Sequence, residues 1–452
     1  MTAPWLGIVA DDVTGACDVA AAVREAGLST VLRLGAPDDE PLPPCDAVVV
    51  GLTIRTVPPR AAQEQAVTVA RWLRAAGVRV VYQKYCSTFD STPHGNIGPV
   101  ADALAGVVGA GAAGPVLSVG TPATPAAGRT QYQGHLFVGD RLLSESSLRD
   151  HPLTPMRDPD LVRVLGAQTP ARVRLVPRAV VREGPDAVRR ALVDPPAGAG
   201  GGGARAHVLV DALDDEDLGV IARGVLALAD GAGRLRVVVG GGAGLAGALA
   251  RCRGGPPGSR EALPAVGDGE RLILAGSLSE RTRAQCTAFP GTRLRLDAPA
   301  GGRGTAPDRD DEGADREADD AADAVLAALA HAFAEHPGEP VLVTSATDEE
   351  EVGAAQRRLG VQEAARRVER ALARVAAGAV RDLGVRRVVV AGGETSGAVT
   401  RALGVRSLLV GDSASPGVPW TVSTGPRPVA LLLKSGNFGG TDLFSSAWAG
   451  EP

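Results

Sequence analysis

The chain has 452 residues, 44% hydrophobic, 22% charged and only 3% aromatic, with a formal net charge of −5. That length exceeds a single core and predicts two domains, while mild acidity without a basic, aromatic-laced stripe excludes a nucleic-acid binder. No apolar run approaches the roughly 18 residues of a membrane span, and the start MTAPWLGIVADD lacks the basic and long apolar regions of a signal peptide, so a cytoplasmic protein with no membrane partner is expected.

Short β-branched runs alternate with Ala/Leu/Arg segments of helical period, the pattern of parallel sheets with crossover helices. The expected fold class is α/β: two domains, each on a largely parallel sheet with flanking helices, and an active-site cleft between them. In chain order the spacing predicts strands at 6–10, 30–34, 47–52, 79–83, 116–119, 173–176, 207–212 and 235–240, with a helix over 61–77. A Gly/Pro-dense linker follows, and strands resume at 271–276, 292–297, 341–346, 386–393, 407–411 and 429–436. The domains are therefore drawn as 1–250 and 270–445, joined by 251–269. Segment 195–206 reads as a flexible insertion, and 297–320 as an acidic, Gly-rich one, disordered in part.

The first strand runs straight into DDVTGACD (11–18). Ligands of open α/β sheets bind at the carboxyl ends of strands, so Asp11 and Asp12 emerge where a site is expected. Thr14 and Gly15 then open a helix whose amides favour an anion; the plainer alternative is an Asp that only caps the helix. The strand over 79–83 delivers Lys84 to a hydroxyl-rich loop holding Ser87, Thr88, Asp90, Ser91 and Thr92. One cation plus hydroxyls and a carboxylate suit a small polyhydroxy acid, although a turn of Ser, Thr, Asp and Pro has the same composition. Of 47 basic residues only two, Lys84 and Lys434, are lysines. Lysine is a compact point charge where arginine is a planar fork, so a chain that otherwise writes arginine keeps lysine where one donor must reach one oxygen, unless both are surface remnants.

In the second half, VVVAGGETSGAVTRALG (388–404) is strand, glycine turn and helix, with Thr395 and Ser396 near the helix start, a phosphate-binding context. LLLKSGNFGG (431–440) is a second strand end opening into glycines. VVVGGGAGLAGALA (237–250) places Gly242, Gly244 and Gly247 in GxGxxG spacing, which keeps a nicotinamide oxidoreductase as an alternative, but the Gly/Pro linker stands where that fold needs a strand ending in an acid. Cys17, Cys45, Cys86, Cys252 and Cys286 are odd in number and never spaced CxxC, which fits a reducing compartment without structural zinc. His331 and His336 miss the four-residue spacing of helix-borne metal ligands.

Taken together, IVADDVTGACD (8–18), KYCSTFDSTPHGNIGPV (84–100), GHLFVGDRLLSESSLRDHPLTPM (134–156), LAGSLSERTRAQ (274–285), AGGETSGAVTRALGV (391–405), PGVPW (416–420) and LKSGNFGGTDLF (433–444) are similar to the four-carbon acid sugar kinase family. KYCSTFDST resembles the branch acting on 3-oxo-tetronates more than the threonate and erythronate kinases. The resemblance implies an amino-terminal sugar-acid domain and a carboxy-terminal nucleotide domain. It implies ATP, with Mg²⁺, phosphorylating the 4-hydroxyl of a four-carbon keto acid. Nucleotide contacts carry over to Ser277, Gly393, Glu394, Thr395, Ser396 and Gly436. Catalysis is expected from Asp11, Asp12 and Lys84: either aspartate orients or deprotonates the hydroxyl or holds the metal, and Lys84 meets the carboxylate or the phosphoryl group. Substrate contacts are expected from Thr14, Gly15, Asp18, Ser87, Asp90 and Ser91. Departures from the family pattern are Ala243 in GGAGL, Ser413 and Ser415 in place of an acidic pair before PGVPW, and TPATPAAGRT in place of an aromatic-containing block before GRT. The preferred epimer, the metal and any homo-oligomer stay open at this level.

Overall fold

The computed structural model describes residues 3–37, 41–110, 116–150, 154–193, 205–229, 236–254, 263–296, 311–345 and 360–452. The chain divides into two compact units, Met1–Glu261 and Ala262–Pro452.

The first unit is built on eight strands: β1 (Leu6–Ala10), β2 (Thr30–Leu34), β3 (Ala47–Gly51), β4 (Val80–Lys84), β5 (Val116–Thr121), β9 (Arg172–Val176), β10 (Arg205–Val210) and β11 (Val238–Gly241). Their order across the sheet is β2-β3-β1-β4-β11-β5-β10-β9, and every neighbouring pair is parallel. Such a sheet is covered on both faces, which is why its central strands read as unbroken apolar runs: β1 and β3 are buried along their whole length. Three short antiparallel strands, β6 (Arg129–Tyr132), β7 (His135–Val138) and β8 (Arg141–Leu142), form a separate small sheet absent from the sequence expectation. Gln133 (φ +51°) and Gly134 (φ +76°) turn the first hairpin. The Asp211 carboxylate holds that turn by accepting from the Gln133 and Gly134 amides at 2.7 and 3.0 Å.

The second unit orders its strands β13 (Arg293–Arg295), β14 (Val341–Thr344), β12 (Glu270–Ala275), β15 (Val385–Ala391), β18 (Ala430–Lys434), β17 (Val418–Ser423) and β16 (Ser407–Ser415). The first five are mutually parallel, and β17 runs antiparallel to both β18 and β16. The sequence expectation lacked β17, which carries Pro419 inside it. In the structure Pro419 stands opposite Ser413 where the ladder register breaks, a place where a missing N–H costs no regular ladder bond. The core gathers Trp420, Phe444, Phe289 and Leu432.

Three segments depart from expectation or escape description. Residues 311–320, read as partly disordered, begin the helix Asp311–Glu335, while 297–310 lie outside the described residues. The linker stretch opens inside the helix Ala243–Arg253, and 255–262 lie outside the described residues. Of the insertion 195–206, only Arg205 and Ala206 are described, as the start of β10. No described helix is long and apolar enough to cross a membrane.

Candidate active site

Two strand edges gather the residues singled out above, one in each unit. In the first, β1 pairs with β3 and β4 so that Ala10 lies level with Gly51 and Lys84. The chain leaving β1 is stitched to both neighbours: the Asp11 amide donates to the Lys84 carbonyl at 3.1 Å and the Ile54 amide to the Asp11 carbonyl at 3.0 Å. Asp12 caps the helix Val13–Glu25, its Oδ1 accepting the Gly15 amide at 2.7 Å and its Oδ2 accepting the Thr14 hydroxyl at 3.0 Å. Asp12 therefore does cap the helix, with Thr14 and Gly15 as its partners. A Cβ on Gly15 would sit 2.3 Å from Asp12 Oδ1 and 3.3 Å from Lys84 Nζ, so only glycine fits between the two charges.

Arg55, which the sequence reading passed over, organises this edge. Its guanidinium donates Nε and Nη2 to the two oxygens of Asp11 at 2.9 Å each, lies 3.1 Å from Asp12 Oδ1 and reaches Asp90 Oδ2 at 3.6 Å. Asn96 holds the Arg55 loop by donating Nδ2 to the Ile54 and Val57 carbonyls at 2.8 and 2.7 Å. Burial raises the Asp11 carboxyl above the ordinary range even though Arg55 pulls it back. Burial alone would lower Arg55, but Asp11 and Asp12 outweigh it and hold the guanidinium well above its ordinary value.

Lys84 is no surface remnant: it is 2% exposed. Its Nζ donates to the Tyr85 carbonyl at 3.2 Å and stands 3.4 Å from Asp18 Oδ2. Burial opposes its charge, yet Asp18, followed by Cys86, Asp11 and Asp12, raises the ammonium above its ordinary value. Asp18 is itself raised, by burial first and against the pull of Lys84. Lys84, Asp11, Arg55, Asp90 and Ser91 line one cavity. The hydroxyl-rich loop above it is a built element rather than a loose turn. Phe89 adopts φ +64° and is buried edge-on against Tyr85 at 5.5 Å, a conformation that non-glycine residues adopt at a cost and that recurs at functional loops. Ser87 and Ser91 are buried; the Thr88 hydroxyl donates to Asp90 at 2.7 Å, and Gln168 Nε2 donates to the Ser91 hydroxyl at 2.9 Å.

The GxGxxG stretch leaves β11 at the same edge, Gly241 standing level with Lys84, but it is filled by protein. A Cβ on Gly242 would meet Thr124 Oγ1 at 2.4 Å, and one on Gly244 the Ala123 carbonyl at 2.9 Å. These glycines let the helix Ala243–Arg253 pack on the 122–124 turn, which removes the dinucleotide reading of the motif.

In the second unit, Ala275, Ala391 and Lys434 lie level at the ends of β12, β15 and β18. The loops leaving them interlock. The Gly276 and Ser277 amides both donate to the Ala391 carbonyl at 3.1 Å, and the Gly392 amide to the Lys434 carbonyl at 2.9 Å. Gly392, at φ +131°, precedes the helix Gly393–Ala402. A Cβ on Gly276 would lie 2.2 Å from Thr395 Oγ1, and one on Gly436 2.3 Å from Ser277 Oγ. Ser277, Gly393, Thr395, Ser396 and Gly436 thus share one edge. Ser396 is fully buried and its hydroxyl has no hydrogen-bond partner among the described residues. Glu394 is exposed, and after burial it is the largest cause that pushes the Glu369 carboxyl up to about 7.

Metal ligation by the first edge fits poorly. Among the described residues no group of three or more His, Cys, Asp and Glu side chains could hold an ion, and the Arg55 guanidinium already occupies the space between Asp11 and Asp12. His331 instead pairs with Glu335 at 3.3 Å.

A parallel sheet ending in charged side chains, followed by a second ending in glycine loops and helix N-termini, defines a two-unit α/β protein with one charged and one glycine-rich strand edge. A family model described as a sugar-binding N-terminal domain matches residues 6–249, and one described as a nucleotide-binding C-terminal domain matches 272–444. The chain belongs to the four-carbon acid sugar kinase family. It is 43% identical to a 3-oxo-tetronate kinase of Burkholderia multivorans, over 98% of this chain and 96% of that one. It is 44% identical to a 3-oxo-tetronate kinase of Methylobacterium radiotolerans, over 98% of each. Among solved structures, a Salmonella typhimurium LT2 chain with 35% identity matches over 99% of both chains with a TM-score of 0.79. A Haemophilus influenzae protein with 33% identity matches over 98% of both with a TM-score of 0.72.

Proposed function

We propose that the chain is an ATP-dependent kinase that transfers a phosphoryl group to the 4-hydroxyl of a 3-oxo-tetronate, releasing ADP. The observation that carries this reading is similarity along nearly the whole chain, at 43–44% identity, to proteins named 3-oxo-tetronate kinase. The two edges supply the matching chemistry. Phosphoryl transfer asks a protein mainly for positioning and charge neutralisation, so the acid belongs on the first edge and the nucleotide on the second. Lys84 offers a point charge for the substrate carboxylate or the migrating phosphoryl group, and Arg55 a planar fork beside it. Asp12 has its oxygens committed to Gly15, Thr14 and Arg55, whereas Asp11 meets Arg55 alone among these. Asp11, held above the ordinary carboxylate range, is therefore the residue assigned to take the hydroxyl proton. Magnesium is taken to arrive on the phosphates of ATP, and no step is assigned to it.

The test is a coupled ADP-release assay across 3-oxo-tetronates, threonate and erythronate, with the product identified by mass and position of the phosphate. The highest kcat/KM is expected on a 3-oxo-tetronate with phosphate on the terminal oxygen. Turnover of threonate or erythronate alone would move the chain to the sister activity, and no ADP release with any four-carbon acid would overturn the kinase reading.

A further inference from the structure

Lys434, the second of the two lysines, ends β18 and is 1% exposed. Unlike Lys84 it has no carboxylate partner among the described residues. Its Nζ donates to the Thr282 hydroxyl at 2.9 Å, to Gln285 Oε1 at 2.6 Å and to the Gly436 carbonyl at 3.1 Å. The Phe444 ring lies 5.8 Å away. Arg281 and Cys286, both from the helix Glu280–Ala288, are the charged and titratable groups that act on it, and burial, the largest influence, brings the amine down to about 7.

The acceptor at the centre of this cluster is the Gly436 carbonyl. The Ser279 hydroxyl donates to it at 2.7 Å and the Thr282 hydroxyl at 2.9 Å, in addition to Lys434. Gln285 Nε2 donates to two further carbonyls of the same loop, Phe438 at 3.1 Å and Gly440 at 2.8 Å. The loop is thus pinned through its carbonyls onto one helix. In a trans peptide the N–H points opposite to the carbonyl of the same unit, so drawing the Gly436 carbonyl inward turns the Asn437 amide away from that helix. Outward amides on a glycine loop beside a helix N-terminus are what a polyphosphate requires.

We propose that Lys434 is a positioning residue of the nucleotide site, which with Ser279 and Thr282 fixes the Gly436 carbonyl so that the loop 435–440 presents its amides to the phosphates of ATP. This rests on the reading that the second unit holds the nucleotide. An ammonium suits the task because its three donors can satisfy Thr282, Gln285 and Gly436 at once, which the planar fork of arginine cannot do in the same space.

The test uses the full chain and calorimetric titration with ADP, together with steady-state KM for ATP and for the acid. Lys434→Met should weaken ADP binding at least tenfold and raise KM for ATP by a similar factor while leaving KM for the acid unchanged. Between pH 6 and 8.5 the wild type should lose ADP affinity more steeply than the variant, because titration of the ADP phosphate is common to both and only the wild type also discharges Lys434. Lys434→Gln keeps a donor without the charge and serves if the methionine variant does not fold. It should approach wild-type affinity at pH 8.5 and fall below it at pH 6.5. A folded variant with wild-type ADP affinity and pH slope, or a loss shared equally by both substrates, overturns the role of Lys434. A wild-type protein that binds neither ADP nor ATP overturns the nucleotide reading itself and this inference with it.

Discussion

Replacing Lys84 with methionine keeps the length of the side chain and removes its charge, so the perturbation falls on Asp18, whose Oδ2 stands 3.4 Å from Nζ. Breaking a buried ion pair from one side typically costs about 3–5 kcal/mol, because the other charge is left uncompensated. Here the loss has a ceiling, since Asp18 can take up a proton instead. Its ordinary pKa is 3.8, so protonation at pH 7 costs at most about 4.4 kcal/mol, and at pH 5 about 1.6 kcal/mol, at roughly 1.4 kcal/mol per unit. Asp18 already sits above its ordinary value in the native protein, which makes both figures upper bounds. The sign follows: a carboxyl whose folded pKa is raised contributes stability below its unfolded pKa and loses it as pH rises through the folded one. Urea denaturation followed by circular dichroism should therefore show Lys84→Met losing more stability at pH 7 than at pH 5. Adding Asp18→Asn should recover most of the loss by removing the orphaned charge. Turnover should not recover: kcat/KM should stay at least a hundredfold down in both variants, about 2.7 kcal/mol of transition-state stabilisation. A loss below about 0.5 kcal/mol at both pH values, or wild-type turnover, would refute the placement of Lys84 in a charged, working site.

Arg55→Met removes the cation that Asp11, Asp12 and Asp90 share, so the already raised Asp11 should climb further and the acid limb of the kcat/KM profile should move to higher pH; a profile identical to wild type in a folded variant speaks against Asp11 as the proton acceptor. Lys434 gives a pH signature of the opposite sense to Asp18. Its folded pKa of about 7 lies below the ordinary 10.5, so it contributes stability that is present above the unfolded value and lost as pH falls through the folded one. Unfolding free energy should rise with pH across that window by at most about 1.4 kcal/mol per unit, and Lys434→Met should flatten the rise. An equal slope in both proteins would show that the amine is not desolvated.

What the sequence made legible at both edges follows from periodicity. A β-branched run followed by Asp-Asp, by Lys-x-x-Ser or by Gly-Gly-Glu-Thr-Ser marks the end of a parallel strand, and that end is where a site lies. Asp11, Lys84, Thr395 and Gly436 were readable on that ground. Arg55 was not. It lies in LTIRTVPP, a connector without periodic pattern, and its importance comes from Asp11, Asp12 and Asp90, which stand up to 44 residues away in the chain. The available signal was weak but real: an arginine four residues past the end of β3, level with the end of β1. Ser279, Thr282 and Gln285 were hidden differently. The reading of LAGSLSERTRAQ stopped at Ser277, and a helix face turned toward a neighbouring loop looks like any other polar helix start.

The two lysines show where such reading stops in principle. Both end a parallel strand, both precede a polar loop, and both are buried; by local pattern they are the same object. Their charge states diverge because of what the fold brings near them. Lys84 has Asp18 at 3.4 Å with Asp11 and Asp12 beyond it, and the carboxylates outweigh desolvation, so the ammonium stays charged far above neutrality. Lys434 faces two hydroxyl or amide oxygens and a carbonyl, none of them charged, and desolvation wins. A fixed cation suits the edge proposed to meet an acid in every turn of the reaction. An uncharged set of acceptors suits the edge proposed to pin a loop for the nucleotide, where Lys434 works through the hydrogen bonds it donates to Thr282, Gln285 and Gly436.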